Sequence, residues 1–157
     1  MYRKSESEKI EVEDFVLPFE GQLSEDNRWV IMAELIPWNE FEDEYARLFD
    51  PKRGAPAKSF RMALAALIIQ EKLRTTDRET VAQIQENPYL QYFLGLNSYE
   101  YKAPFDSSML VYFRRRIKIE LIDKINRQIV KQALEQQEEK KTRKQSKKNL
   151  RRKIKDN

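Results

Sequence analysis

The segment 58–74 places the strongest constraint on the fold, because as a helix it would be apolar around nearly its whole circumference. Its apolar residues are Phe60, Ala63, Leu64, Ala66, Leu67, Ile68, Ile69 and Leu73. A helix with this pattern lies in the centre of a structure and is covered by other elements on most sides. The remainder of the chain must therefore supply amphipathic partners for it.

Amphipathic helices are predicted on both sides of this central segment. Apolar residues recur at i, i+3, i+4 and i+7 in residues 24–36, and apolar residues mark one face of the predicted helices at 39–49, 77–86, 88–94, 107–117 and 120–137. Residues expected to cap these helices are Asn39, Thr76 or Asp77, and Ser107. Proline and glycine in the intervening stretches indicate loops at 50–56 and 96–105. No alternating strand pattern of useful length is present, and apolar residues nearly vanish beyond Leu134.

We therefore predict an all-α protein, a compact bundle of about six or seven helices followed by a disordered basic C-terminal arm. The expected organisation is an irregular lead-in at 1–24, a helical domain at 25–137 and the arm at 138–157. Within the domain, the helices near 77–86, 88–94 and 107–117 suggest a helix-turn-helix-like unit. The connection before its last helix is longer than the usual three or four residues.

Composition excludes several classes of function. Histidine and cysteine are absent, so the chain offers no imidazole or thiolate for zinc binding, hydrolase triads or disulfides. The three glycines are too scattered to form a phosphate-binding loop. No apolar run is long enough to cross a bilayer, and the N-terminus lacks an apolar signal core. We therefore expect a cytoplasmic protein without a membrane partner.

The positive charge of the chain is concentrated at its C-terminal end. Ten of the 30 basic residues but one of the 26 acids lie in residues 140–157, so this segment carries +9 and the rest −5. The residues expected to contact phosphates there are Lys147, Lys148, Arg151, Arg152 and Lys153. A solvated linker is the alternative. RNA or an anionic membrane would also attract the charge, but the arm lacks aromatics for stacking bases and an apolar face for a bilayer.

A second candidate DNA contact is the predicted helix that begins after Asp106. Small hydroxyl residues open it and three arginines close it, which suits close approach to a base edge or phosphate. The candidates here are Ser107, Ser108, Arg114, Arg115, Arg116 and Lys118, with Lys52 and Arg53 as weaker ones. Three consecutive helical side chains cannot share one face, so at least one arginine should tolerate alanine. The alternative is a capped helix whose basic last turn only complements the helix dipole.

Two further patterns favour structural interpretations. The narrow apolar stripe of the helix at 120–137 could pair two chains, but packing against the core of its own domain is the favoured explanation. The acids Glu40, Glu42, Asp43 and Glu44 are almost consecutive. They would point in different directions around a helix, so a solvated face is expected rather than a metal site.

Five sequence blocks in register resemble the N-terminal domain of transposases from the large bacterial insertion-sequence family that uses a DDE catalytic domain. They are residues 52–56, 60–67, 78–81, 86–96 and 105–117. The last two, ENPYLQYFLGL and FDSSMLVYFRRRI, are the most specific. The resemblance is strong over nearly half of the chain and looser over most of residues 20–135.

The resemblance implies binding of double-stranded DNA at the terminal inverted repeats of a mobile element. In that family, strand cleavage and joining belong to a following RNase H-like domain, whose three carboxylates hold two metal ions. That domain is expected to be absent here, so we expect no catalytic residue and no cofactor in this chain, and Mg²⁺ only for the catalytic domain.

Two other functions remain open. The chain could be a protein-interaction module that dimerises with, or inhibits, a full-length transposase. It could also be part of a metal nuclease whose catalytic residues come from another chain.

Overall fold

A computed structural model describes residues 1–4 and 10–155, and of Phe19 and residues 152–155 it describes only the backbone. Seven α-helices are present in this part of the chain: α1 (Arg28–Leu35), α2 (Trp38–Ala46), α3 (Phe60–Leu73), α4 (Asp77–Glu86), α5 (Pro88–Phe93), α6 (Met109–Arg116) and α7 (Ile119–Lys155). Two single-turn 3₁₀ helices, Val12–Asp14 and Pro18–Glu20, precede them. The described residues form no β-strand, so the predicted all-α class is confirmed.

Helix α3 is the central element, as its apolar circumference predicts. Residues Ala63, Ala65, Ala66 and Ile69 are fully buried, and α2, α4, α5 and α6 all pack against α3. The side chains of the three alanines are small, so the backbones of the neighbouring helices can approach α3 closely. This arrangement makes α3 the support on which the outer helices are positioned.

Side-chain caps fix the starts of several helices. Asn27 Oδ1 accepts a hydrogen bond from the backbone of Trp29 (2.9 Å), so α1 begins at Arg28 and not at Ser24 as predicted. Thr76 caps α4 as expected. The side-chain oxygen of an N-cap residue accepts a hydrogen bond from a backbone N–H group that has no partner within the helix.

Two predicted caps are wrong. Helix α2 begins at Trp38 after Pro37, so Asn39 lies inside its first turn. Ser107 lies one residue before the cap position of α6, and Ser108, which occupies that position, makes no side-chain cap hydrogen bond. In both cases the chain enters the helix from a preceding turn, which periodicity alone does not reveal.

A buried glutamine secures the long connection between α5 and α6. Gln91 is fully buried. Its amide nitrogen donates to the carbonyl oxygens of Ile84 (3.2 Å), Gln85 (3.3 Å) and Glu100 (2.9 Å). Its amide oxygen accepts from the backbone N–H of Glu100 (2.8 Å). The end of α4, helix α5 and the loop 96–105 are therefore joined by one side chain whose polar groups are satisfied.

A mostly buried arginine fills the space beneath Gly95. Arg61 donates to the carbonyl oxygens of Phe93 (3.1 Å) and Tyr92 (2.9 Å), and its guanidinium lies 5.0 Å from the ring centroid of Trp38. Burial lowers the pKa of Arg61 to about 10, so the group stays charged at neutral pH. The carbonyls at the C-terminal end of α5 and the aromatic ring together compensate this charge.

The lead-in belongs to the core although most of its backbone is irregular. Val12, Phe15 and Leu23 are buried. Hydrogen bonds from Val16 to Asn97 and from Tyr99 to Val16 attach the lead-in to the loop 96–105. Chain outside the predicted helical domain therefore contributes to its packing.

Helix α7 differs from expectation. It continues to Lys155, so the predicted disordered arm is helical within the described residues. Residues 135–151 include many Glu, Gln, Lys and Arg and neither glycine nor proline. These are strong helix formers, and Glu139 precedes Arg143 by one turn in the favourable orientation. The scarcity of apolar residues removes packing but does not prevent helix formation.

Candidate nucleic-acid interface

Helix α6 presents one face to the core and one to solvent. Leu110 and Phe113 are fully buried, and the ring of Phe113 meets that of Phe105 edge-on at 5.3 Å. On the opposite side Val111 is 38% and Tyr112 46% exposed. The apolar contacts hold the helix on α3, and this leaves its outer face accessible.

The three arginines of α6 project in different directions, as expected for consecutive residues of a helix. Arg114 forms a two-pronged ion pair with Asp77 at the start of α4, with Nη1–Oδ1 at 2.8 Å and Nη2–Oδ2 at 2.9 Å. Gln70 of α3 accepts from Arg114 (3.0 Å) and donates to Asp77 (2.7 Å). These hydrogen bonds lower the pKa of Asp77 to about 2. Arg114 thus connects three helices of the body.

Arg116 turns toward the end of α2. Its guanidinium lies 4.4 Å from the ring centroid of Phe49 and 5.8 Å from that of Tyr112. Burial raises the pKa of the fully buried Tyr45, and the nearby charge of Arg116 opposes that shift. Arg116 is partly buried, so it combines an aromatic contact with an accessible positive charge.

Arg115 remains on the outer face of α6. It is exposed and lies 6.0 Å from the ring centroid of Tyr112. Within the described residues it makes neither a hydrogen bond nor an ion pair. Ser108, Tyr112 and Arg115 follow each other at i, i+4 and i+7, so they form one continuous exposed stripe, which we call the outer stripe of α6.

A carboxylate stands at the N-terminal end of α6. Asp106 Oδ1 accepts from the backbone N–H of Ser108 at 2.9 Å, which lowers the pKa of Asp106 below its usual value. An ionised carboxylate at this position disfavours a phosphate at the same helix end. Ser108 is exposed and Ser107 partly buried.

The basic loop after α2 begins beside the end of α6. Asp50 Oδ1 accepts from the backbone N–H groups of Lys52 (2.8 Å) and Arg53 (3.1 Å), while both side chains are exposed. Phe49, which contacts Arg116, immediately precedes this loop. Lys118 is also exposed, in the joint between α6 and α7. Arg116 and Lys118 therefore lie at the C-terminal end of α6, and the loop that carries Lys52 and Arg53 begins next to Phe49, which Arg116 contacts.

The basic arm lies apart from α6. Lys147, Lys148 and Arg151 are exposed on α7. Arg152 and Lys153 belong to the helix by their backbone, but their side chains lie outside the described residues. The structure thus separates the predicted basic residues into two groups, one at α6 and one far along α7.

The acids of α2 contact separate partners. Glu42 accepts from the Tyr2 hydroxyl (2.7 Å), Asp43 pairs with Lys4, and Glu44 pairs with Lys124 (2.8 Å). In the described part of the chain, no group of three or more histidine, cysteine or carboxylate side chains is placed to hold a metal ion. None of the helices in this part is long and apolar enough to cross a membrane.

Two residues of this region were not predicted from the sequence. Tyr112 was not a candidate, although its spacing from Ser108 and Arg115 places it on the same stripe. Asp77 was considered only as a helix cap, and its pairing with Arg114 joins residues 37 apart in sequence. No local pattern could reveal that contact.

The proposed helix-turn-helix-like unit is not established by this geometry. Asn87 alone separates α4 from α5, whereas residues 94–108 separate α5 from α6. Helix α6 packs against α3. The unit remains a prediction.

Comparison with known proteins gives a family. Residues 17–116 match the family model described as Transposase domain (DUF772). The chain is also 29% identical over 106 residues to the uncharacterized protein ORF8 in the nfe locus of Rhizobium meliloti. That alignment covers 68% of this chain and 51% of the relative, so the chain spans about half of the relative's length. No solved structure matches. Because the family model covers well over half of the sequence, the chain belongs to the transposase-domain family DUF772.

Proposed function

We propose that this chain is the DNA-binding, N-terminal part of a bacterial insertion-sequence transposase of the DDE class, and that it recognises the terminal inverted repeats of its element. Membership of a transposase-domain family supports a role in transposition. The sequence resemblance over residues 52–117 supports the DDE class and the position at the N-terminal side of a catalytic domain. No residue of this chain is assigned a catalytic role, and Mg²⁺ chemistry belongs to the separate RNase H-like domain.

The observation that carries this proposal is the outer stripe of α6. The stripe combines a small hydroxyl residue, an exposed aromatic ring and an exposed arginine on a helix that the core holds in place. Arginine forms two parallel hydrogen bonds with guanine in the major groove, and serine bonds to several base edges. An α-helix about 10–12 Å wide fits a major groove of about 12 Å.

The neighbouring cations supply the affinity that does not depend on sequence. Arg116 and Lys118 lie at the C-terminal end of α6, and with Lys52 and Arg53 of the loop that follows Phe49 they would contact phosphates beside the groove. Arg114 has a different role in this proposal. Its two hydrogen bonds to Asp77 hold α6 against α4, and this fixes the angle at which the outer stripe meets DNA.

The test compares two arginine variants on two duplexes. The affinity of the protein for the element's inverted repeat is measured beside that for a shuffled duplex, by fluorescence anisotropy at two salt concentrations. Arg115→Ala should reduce the preference for the repeat about 5- to 150-fold, which corresponds to the loss of about 1–3 kcal/mol of discrimination between bases. Arg127→Ala, which removes an exposed arginine of α7, is the matched control and should retain the preference.

Two results would contradict the proposal. Equal affinity of the unaltered protein for both duplexes would remove the inverted repeat as its target. An unchanged preference and salt dependence in Arg115→Ala would reject the outer stripe as the reading surface.

A further inference from the structure

Helix α7 has two parts that differ in their surroundings. It is 37 residues long, which corresponds to about 55 Å. Its first part lies on the body: Leu121 and Ile125 are buried, and Gln132 donates to Glu40 of α2 at 3.3 Å. From residue 133 to residue 151 every side chain is exposed. The second part therefore extends beyond the body as a single solvated helix.

The basic residues of this exposed part occupy one side of the helix. They are Lys140, Lys141, Arg143, Lys144, Lys147, Lys148 and Arg151. With 3.6 residues per turn, these seven fall within an arc of about 160°, which we call the basic face. The opposite arc carries the uncharged residues Thr142, Gln145, Ser146 and Asn149. A helix that needs charge only for solubility has no reason to separate it in this way, since charges of both signs spread around the surface would serve.

The basic face lies on the same side of α7 as the residues that pack against the body. The apolar positions Ile122, Ile125 and Ile129 are followed, five helical turns later, by Lys140, Arg143 and Lys147. Where the helix leaves the body, the face that was apolar thus becomes cationic. A longer packing surface would have kept apolar residues at these positions, so this change indicates a partner with dense negative charge.

We infer that the basic face of α7 binds the phosphate backbone of double-stranded DNA as a preformed helix; this inference rests on the proposed function. From Lys140 to Arg151 the face extends about 17 Å, a length over which duplex DNA carries about ten charges. Single strands are a poorer fit because the face has no aromatic ring for stacking. A bilayer is a poorer fit because Leu150 is the only apolar residue of the described side chains beyond Leu134.

A preformed basic helix and a flexible basic tail bind DNA in different ways. A disordered tail would bind DNA through its net charge, whatever the order of its residues. A helix with one basic face binds through the arrangement of the charges, because only cations on one side reach the phosphates together. The two cases therefore respond differently when charges are moved without changing their number.

The experiment moves three lysines to the opposite arc in the full chain. Three adjacent exchanges, Lys144→Gln with Gln145→Lys, Ser146→Lys with Lys147→Ser, and Lys148→Asn with Asn149→Lys, retain the composition and the net charge. They leave four of the seven cations on the basic face. Affinity for the inverted repeat and for a shuffled duplex should fall about 10- to 100-fold at about 0.15 M salt, and the slope of log K against log[salt] should become shallower by about 3.

A matched control leaves the basic face intact. Gln145→Ala, Ser146→Ala and Asn149→Ala change the uncharged arc alone and should retain the affinity and the salt slope. Circular dichroism checks that both variants keep the helical content of the unaltered protein.

The outcomes separate this inference from the proposed function. If the exchanged variant matches the unaltered protein in affinity and salt slope, the inference that the basic face binds DNA is overturned, even if the protein still prefers the repeat. If the exchanged variant binds both duplexes more weakly while the unaltered protein shows no preference, the inference stands and recognition of the repeat fails. Binding of the unaltered protein to vesicles rich in phosphatidylserine, without binding to either duplex, would overturn both.

Discussion

Removing Arg114 should weaken the fold by breaking its contact with Asp77. The lowering of the pKa of Asp77 to about 2, from an ordinary value of about 3.9, corresponds to at most about 2.5 kcal/mol of stabilisation. The two side chains are 44% and 32% exposed, so solvent screening reduces this to about 1 kcal/mol. Arg114→Ala should therefore lower the melting temperature by about 2–4 °C.

A double-mutant cycle isolates this contact. Urea unfolding of Arg114→Ala, Asp77→Ala and the double variant should give a coupling energy of about 1 kcal/mol at pH 7. Because the pKa of Asp77 is lowered in the folded state, the stabilisation is fully present above about pH 4 and is lost as the pH falls toward about 2. The coupling should decrease over that interval. Arg115→Ala, which removes an exposed arginine without an ion pair among the described residues, should change stability by less than about 0.5 kcal/mol.

Either of two results would refute this assignment of Arg114. One is a coupling energy near zero at pH 7 with all variants folded. The other is a loss of preference for the inverted repeat in Arg114→Ala without any loss of stability, because it would make Arg114 a DNA contact and not a structural one.

Two further predictions concern the core, and both are measured by urea unfolding. Gly95→Ala should destabilise the fold by about 1–3 kcal/mol, because Gly95 has φ 90° and a Cβ there would lie 2.9 Å from Arg61 Cδ. Gly21→Ala, with no contact closer than 3.5 Å, should be nearly neutral, and equal losses in both variants would contradict this reasoning. Gln91→Ala should cost about 2–4 kcal/mol because it leaves buried backbone groups without partners. Gln83→Ala removes only an exposed hydrogen bond and should cost less than about 0.5 kcal/mol, so a Gln91→Ala variant of similar stability would show that the loop 96–105 is held by other contacts.

The order and approximate limits of the helices could be predicted from the sequence because their signals are local. Asn87 followed by Pro88 marks the start of α5, and Gly95 adopts the positive φ expected just after a helix. The start of α1 was predicted too early, because Ser24 precedes a turn and Asn27 provides the cap. The end of α7 was predicted too early as well, since loss of apolar residues indicates loss of packing and not loss of helix.

The candidate site was only partly predictable. The sequence identified the arginine run of α6 and the basic arm by composition. It did not identify which arginine is accessible, because the partner of Arg114 lies on another helix. It also did not reveal the roles of Arg61 and Gln91, which depend on backbone carbonyl groups that only the folded chain brings near them.

The sequence by itself determined that this chain forms helices, that α3 lies at the centre, and that positive charge is concentrated in the C-terminal arm. Each of these follows from residues that are neighbours along the chain or one helical turn apart. The tertiary structure decided which charges remain available. It pairs Arg114 with Asp77, places Arg116 against Phe49, and leaves Arg115 on the outer stripe of α6. The physical reason is that the direction of a side chain follows from its own helix, whereas its partners follow from how the helices pack.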